Sequence, residues 1–158
     1  MGGSRFSRAL FQGWQFGGIF TAQAGLPFSP SASPNPSNGT PNVTRPNRVC
    51  NGNLPRGSRG VDRWFDASCF VAQAPFSFGN SGRRVLYYPG VANLDLTLTK
   101  MVRIKEGRSM ELRADAFNFT NSTHLQFPSA NILTPASVGT ISFAGPPRQL
   151  QLSLRLAF

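Results

Sequence analysis

The stretch Arg148-Gln-Leu-Gln-Leu-Ser-Leu-Arg-Leu-Ala-Phe158 carries a large apolar residue at every second position. Side chains of an extended strand point alternately to its two faces, so Leu150, Leu152, Leu154, Leu156 and Phe158 share one face. Gln149, Gln151, Ser153, Arg155 and Ala157 share the other. Five large apolar residues at strict period two demand burial of a whole strand face, while an Arg among the intervening residues keeps the opposite face wet. The segment has about the length that a tilted strand needs to cross a bilayer.

Three earlier segments repeat the pattern. From Phe11 to Ala24, Trp14, Phe16, Gly18, Phe20 and Ala22 alternate with Gln15, Gly17, Ile19, Thr21 and Gln23. From about Val91 to Ile104, Leu94, Leu96, Leu98, Val102 and Ile104 oppose Asn93, Asp95, Thr97, Thr99, Met101 and Arg103. From about Ser109 to Thr120, Met110, Leu112, Ala114 and Ala116 oppose Glu111, Arg113 and Asp115. The expected strands are therefore about 11–24, 91–104, 109–120 and 148–158, with long loops over 25–90 and 121–147.

The connections alternate in length. Lys105-Glu-Gly-Arg108 is a tight polar turn, whereas the loops on either side are long and rich in Pro, Gly, Asn and Ser. Outer-membrane barrels show short periplasmic turns and long external loops. A bilayer leaves no water for backbone groups, so its strands close on one another with apolar residues outward and polar residues inward. The expected fold class is all-β: antiparallel transmembrane β-barrel strands, about four from the C-terminal part of a larger barrel, spanning residues 1–158. The Lys105–Arg108 turn then lies in the periplasm and the last strand runs toward it. The competing architecture is a secreted or surface β-sandwich whose basic loops hold acidic polymers.

Composition agrees with strands and turns, with 16 Gly, 13 Pro and 14 Phe in 158 residues. The net charge of +10 comes from 16 Lys plus Arg against 6 Asp plus Glu. These cations are scattered singly apart from Arg83-Arg84, with no recognition helix, zinc spacing or aromatic RNA-binding signature beside them. No nucleic-acid partner is expected; anionic lipopolysaccharide is a natural counterpart for this charge. No run of 18 apolar residues exists, and Met1–Arg8 lacks the apolar core of a secretory signal. A Gly-rich phosphate loop, a nucleophile elbow and a metal-ligand cluster are all missing, so neither enzyme activity nor a cofactor or metal is expected.

Several stretches resemble the closing strands of Oar-like TonB-dependent transporters: Asn93-Leu-Asp-Leu-Thr-Leu-Thr-Lys100, Glu111-Leu-Arg-Ala-Asp-Ala-Phe-Asn118 with Asn121, and Pro147–Phe158. Gly13-Trp-Gln15 with Gly25-Leu-Pro-Phe28, Trp64-Phe-Asp66 with Phe70, Gly79-Asn-Ser-Gly-Arg83 and Pro89-Gly90 are similar to earlier parts of that family. The resemblance covers about residues 10–158 and implies a barrel of roughly 22 strands with a plug inside. It also implies energy coupling through TonB at an N-terminal box. From these residues no plug, TonB box or signal peptide is expected in the chain, and about four strands cannot close a barrel. The expectation is a fragment, from a truncated frame, a misassigned start or a split gene, inactive by itself. Its partners are then outer-membrane lipid and lipopolysaccharide, the barrel-assembly machinery, and the missing barrel and plug. TonB is reached only through the missing N-terminal part, and the location is the outer membrane.

Three residue groups stand out. Leu150, Leu152, Leu154, Leu156 and Phe158 resemble the terminal signal read by barrel-assembly machinery; read plainly, they end a buried strand. Cys50 and Cys69 flank a turn-rich stretch and form a loop-stapling disulfide or remain two unrelated thiols. Asp95, Arg103, Glu111, Arg113, Asp115 and Arg155 all fall on the polar parity, where a lumenal network of ion pairs would stabilise the wall or touch a plug. Lys100 breaks the apolar parity and calls for snorkelling or a bulge, while Phe117 and Phe119 fall on the polar parity. His124 reads as a solvated loop residue, and the sequon Asn38-Gly-Thr40 carries no weight in a bacterium.

Overall fold

The computed structural model describes residues 10–34, 45–105 and 107–158. The Met1–Arg8 segment, the Asn38–Thr40 sequon and Glu106 of the tight turn lie outside the described residues. Eight strands occur among the described residues: β1 (Trp14–Gln23), β2 (Pro27–Phe28), β3 (Asn47–Arg48), β4 (Phe70–Val71), β5 (Leu86–Tyr87), β6 (Val91–Lys105), β7 (Arg108–Phe117) and β8 (Gln149–Ala157). None of the described helices is long and apolar enough to cross a membrane. The chain divides into a sheet unit (1–22, 92–123 and 146–158) and a loop unit (23–91 and 124–145).

The sheet unit is one four-stranded sheet in the order β1-β6-β7-β8. β6 and β7 form an antiparallel hairpin, and β7 pairs antiparallel with β8. An ideal Cβ built on Gly13 would meet the backbone of Met101, and one on Gly18 would meet Leu96, so β1 also runs antiparallel to β6. The hairpin turns at Gly107, whose φ of +77° suits a residue without Cβ, and the register shifts between Arg103 and Lys105.

The strand ends differ from the periodicity by a few residues. β1 starts at Trp14 because Gly13, at φ +79°, turns the chain there and its carbonyl accepts from Met101 N–H. The third strand ends at Phe117, short of Thr120, because Asn118 adopts φ +50°. The side chain of Asn118 then seals the turn, donating to the Ser122 carbonyl at 2.9 Å and accepting from Ser122 N–H at 3.0 Å. This break also takes Phe119 off the alternation; its N–H donates to the Leu94 carbonyl.

The segments 25–90 and 121–147 are more than loops. They build the loop unit, with antiparallel pairs β2–β5 and β3–β4 and a core of Phe28, Phe65, Cys69, Phe70 and Leu86. Phe65, 2% exposed, meets Phe28 and Phe70 edge-on with ring centroids 5.9 and 6.1 Å apart. Each of these strands has only two residues, too few to show a period, so composition alone read as loop.

Candidate functional site

Cross-strand register sorts the sheet unit into two faces. On one face the rows are Leu96–Ala116–Leu150, Leu98–Ala114–Leu152, Lys100–Leu112–Leu154 and Val102–Met110–Leu156. On the other they are Thr97–Asp115–Gln151, Thr99–Arg113–Ser153, Met101–Glu111–Arg155 and Arg103–Ser109–Ala157. A slip of one residue would mix the two sets, so the turn at Gly107 fixes chemistry as well as topology. The apolar rows are not a packed core. Leu150, Leu152, Leu154 and Leu156 are 50–82% exposed and Phe158 is 92% exposed. A sandwich would require a second sheet over these leucines, and they face outward instead.

Lys100 is the one cation in the apolar rows, and its pairing with Leu112 is regular, with no bulge at that position. Its side chain reaches toward the residues that precede β1, on the side of the β6–β7 turn. Its Nζ donates to the Leu10 carbonyl at 3.0 Å and to the Gln12 carbonyl, and lies 4.8 Å from the Trp14 ring centroid. The charge is thus held by carbonyls of the residues that precede β1, the Leu10 carbonyl also accepting from Trp14 Nε1 at 2.9 Å, and only 7% of the residue is exposed.

The polar face gathers some of the six charged residues and leaves others apart. Arg113 clamps Asp115 through Nε and Nη2, with contacts of 2.8–3.0 Å. Thr97 Oγ1 donates to the same carboxylate at 2.7 Å. Asp95 accepts from Asn93 Nδ2 at 2.9 Å and from Asn118 N–H at 2.8 Å, which ties β6 to the end of β7. Arg155 stands opposite Glu111, yet among the described residues no side-chain hydrogen bond or ion pair reaches Arg103, Glu111 or Arg155. A satisfied carboxylate clamp of this kind rigidifies the sheet. Among the described residues no three His, Cys, Asp or Glu side chains are grouped to hold a metal ion.

In the loop unit, Cys50 and Cys69 form a disulfide with Cα atoms 4.7 Å apart. Arg48 braces it, donating from Nε to the Cys50 carbonyl at 2.8 Å and from Nη2 to Asn51. Closing a loop across a sequence separation of 19 stabilises by roughly 3 kcal/mol in the chain-entropy account. The double variant Cys50→Ser with Cys69→Ser is therefore expected to lower loop-unit stability by about that amount in urea unfolding. An unchanged midpoint would show that Arg48 and the aromatic core hold the loop without the bond.

Asp66 opens the 3-10 turn Ala67–Cys69. Ser68 donates to its carboxylate from Oγ at 2.8 Å and from N–H at 3.2 Å, and Arg63 lies 3.1 Å away. The Ser68 hydroxyl above all, with Ser68 N–H and Arg63, holds the carboxyl below the usual carboxylate range. A lowered folded pKa means stability that is present above the unfolded value of 3.8 and lost as pH falls through the folded one. Ser68 amide exchange is expected to stay slow at pH 5 and to quicken only below the ordinary carboxylate range. Asp66→Asn should remove that acid dependence.

Sequence reasoning missed other positioning residues. Asn80 binds β3 from the segment after β4, with Asn80 N–H donating to Asn47 Oδ1 at 3.0 Å and Arg48 N–H to Asn80 Oδ1 at 2.7 Å. An ideal Cβ on Gly79 would lie 2.0 Å from the Arg45 carbonyl oxygen, so only glycine admits this approach. Trp64 Nε1 donates to the Tyr87 carbonyl at 2.7 Å. The quoted Trp64, Gly79 and Asn80 carried a signal for these sites only through the family resemblance.

A sheet with one apolar exposed face and one polar face is what a bilayer-facing wall requires. The family model described as "Outer membrane beta barrel domain" matches residues 1–151. The chain belongs to that family. No curated protein and no solved structure matches it. As an outer membrane β-barrel domain, it is placed in the outer membrane. The barrel domain's antiparallel sheet agrees with that membership: β6, β7 and β8 have 15, 10 and 9 residues, long enough for tilted strands to span hydrocarbon.

Proposed function

We propose that the sheet unit is part of the barrel wall of an Oar-like TonB-dependent transporter. Its apolar rows face lipid and its polar rows face the lumen. The single observation that carries this reading is the register, which aligns Leu98, Ala114 and Leu152 and their neighbours on one face across three strands, with the β8 leucines exposed. The transporter assignment itself rests on the resemblance of residues 93–100, 111–118 and 147–158 to that family's closing strands. In this reading the 105–108 turn is periplasmic and the two long connections are external. The Arg113–Asp115 clamp stiffens the lumenal surface. Leu150 to Phe158 present an alternating, exposed strand to the assembly machinery, where edge pairing adds strands one at a time. By itself the chain transports nothing, because both edge strands of its sheet, β1 and β8, are exposed along their whole length.

Sequencing the DNA upstream of the Met1 codon tests the transporter assignment. An in-frame or frameshifted continuation encoding further alternating strands, a plug and a signal peptide is the expected result. A promoter preceded by an unrelated gene would overturn the transporter reading while leaving the barrel wall intact.

A further inference from the structure

We propose that the loop unit binds a small uncharged molecule carrying an aromatic ring, in a cleft between Leu26, Tyr88, His124, Leu125 and Phe127. This does not depend on the transporter reading. The cleft has a volume of about 420 Å³, within the range of about 300–1,000 Å³ usual for small-molecule sites.

Its walls are built in advance. Tyr88 stacks on Phe28 with centroids 4.3 Å apart and planes 5° from parallel, and Phe127 tilts against it at 4.6 Å. Phe127 is nonetheless 69% exposed, so an aromatic side chain held against a packed partner still presents most of its surface to an incoming molecule. Glycines let the chain segments close. An ideal Cβ on Gly25 would lie 1.7 Å from the Tyr88 carbonyl oxygen, and one on Gly90 would lie 2.9 Å from that of Gln23. Backbone bonds from Tyr88 to Leu26, Gln126 to Phe143 and Gly145 to His124, of 2.7–3.0 Å, lock both sides. A rigid site loses little entropy when a ligand binds.

Charge sets the ligand class. The loop unit holds seven Arg against two Asp, yet no Arg, Lys, Asp or Glu is among the described residues lining the cleft. An ionic ligand would shed its hydration there without meeting a counter-charge. The polar residues among the lining are Gln23, Tyr88, His124 and Gln126, and the glutamine amides suit an amide or hydroxyl on an otherwise apolar ring.

Three probes of one shape and three charges test this: 4-fluorobenzamide, 4-fluorobenzoate and 4-fluorobenzamidinium. Binding is read by fluorine NMR on the full chain in lipid nanodiscs, with empty discs subtracted. Saturable binding of the neutral amide is expected, with both ions weaker by at least about tenfold. Leu125→Arg should weaken amide binding at least about tenfold, and Phe76→Arg, outside the cleft and 80% exposed, should leave it unchanged. No saturable amide binding above empty discs, or equal binding of the ions, would overturn the proposal. The charge series uses the unaltered protein, so it decides even if Leu125→Arg fails to fold. Neither result bears on lipid facing, which is read from β8.

Discussion

Replacing Phe65 with alanine is expected to destabilise the loop unit by about 3–5 kcal/mol, the largest effect of any single truncation outside the sheet. Phe65 is among the largest fully buried side chains and forms edge-on contacts with both Phe28 and Phe70. Removing it takes away the transfer free energy of the ring and two aromatic contacts, and it leaves a cavity between β2 and β4. The wall around that cavity is not free to collapse. Trp64 N–H is tied to the Gly139 carbonyl at 2.8 Å, and Asp66 N–H to that of Gly52 at 2.9 Å. Urea unfolding followed by Trp64 fluorescence, in a Trp14→Phe background, measures the loss. Phe65→Leu should cost less than half as much. A Phe65→Ala midpoint within about 1 kcal/mol of the parent would contradict a packed core at this position.

The second large effect concerns the sheet. Leu152→Arg or Leu154→Arg is expected to cost about 2–4 kcal/mol for insertion near the bilayer midplane. Gln151→Arg, one residue away, should be tolerated. Leu152 sits beside Ala114 and Leu98 in an apolar row and is 82% exposed, so in water its replacement by Arg would be nearly neutral. Only a hydrocarbon environment makes that substitution costly. The measurement is folding into lipid vesicles, scored by heat-resistant migration or protease protection. Equal tolerance at 151 and 152 would remove the lipid-facing assignment.

The long strands were legible because period two leaves a trace wherever one face differs from the other. Leu150 to Phe158 spell it out, and the short turn at 105–108 sets which residues meet, as in Thr97 opposite Asp115. Strand ends were less legible. They depend on single left-handed residues, Gly13 and Asn118, and Asn tolerates that conformation without announcing it. Lys100 read as an anomaly because its partners are the carbonyls of Leu10 and Gln12, some 90 residues away in sequence. The loop unit was the least legible. Its core joins Phe28, Phe65, Phe70 and Leu86 from well-separated segments through two-residue strands, and no local pattern encodes such contacts. The charged parity set was only partly a network, since among the described residues the same face geometry that brings Arg113 onto Asp115 leaves Arg155 and Glu111 opposite each other without an ion pair.

The central claim is that the two faces of β8 meet different solvents. Nitroxide labels placed singly at positions 150 to 155 in the vesicle-inserted protein report it directly; Cys50 and Cys69 are bonded to each other and do not take label. Labels at 150, 152 and 154 should be relaxed strongly by oxygen and weakly by a water-soluble nickel chelate, with the reverse at 151, 153 and 155. Accessibility that does not alternate, or nickel access at both parities, would contradict a bilayer-facing wall.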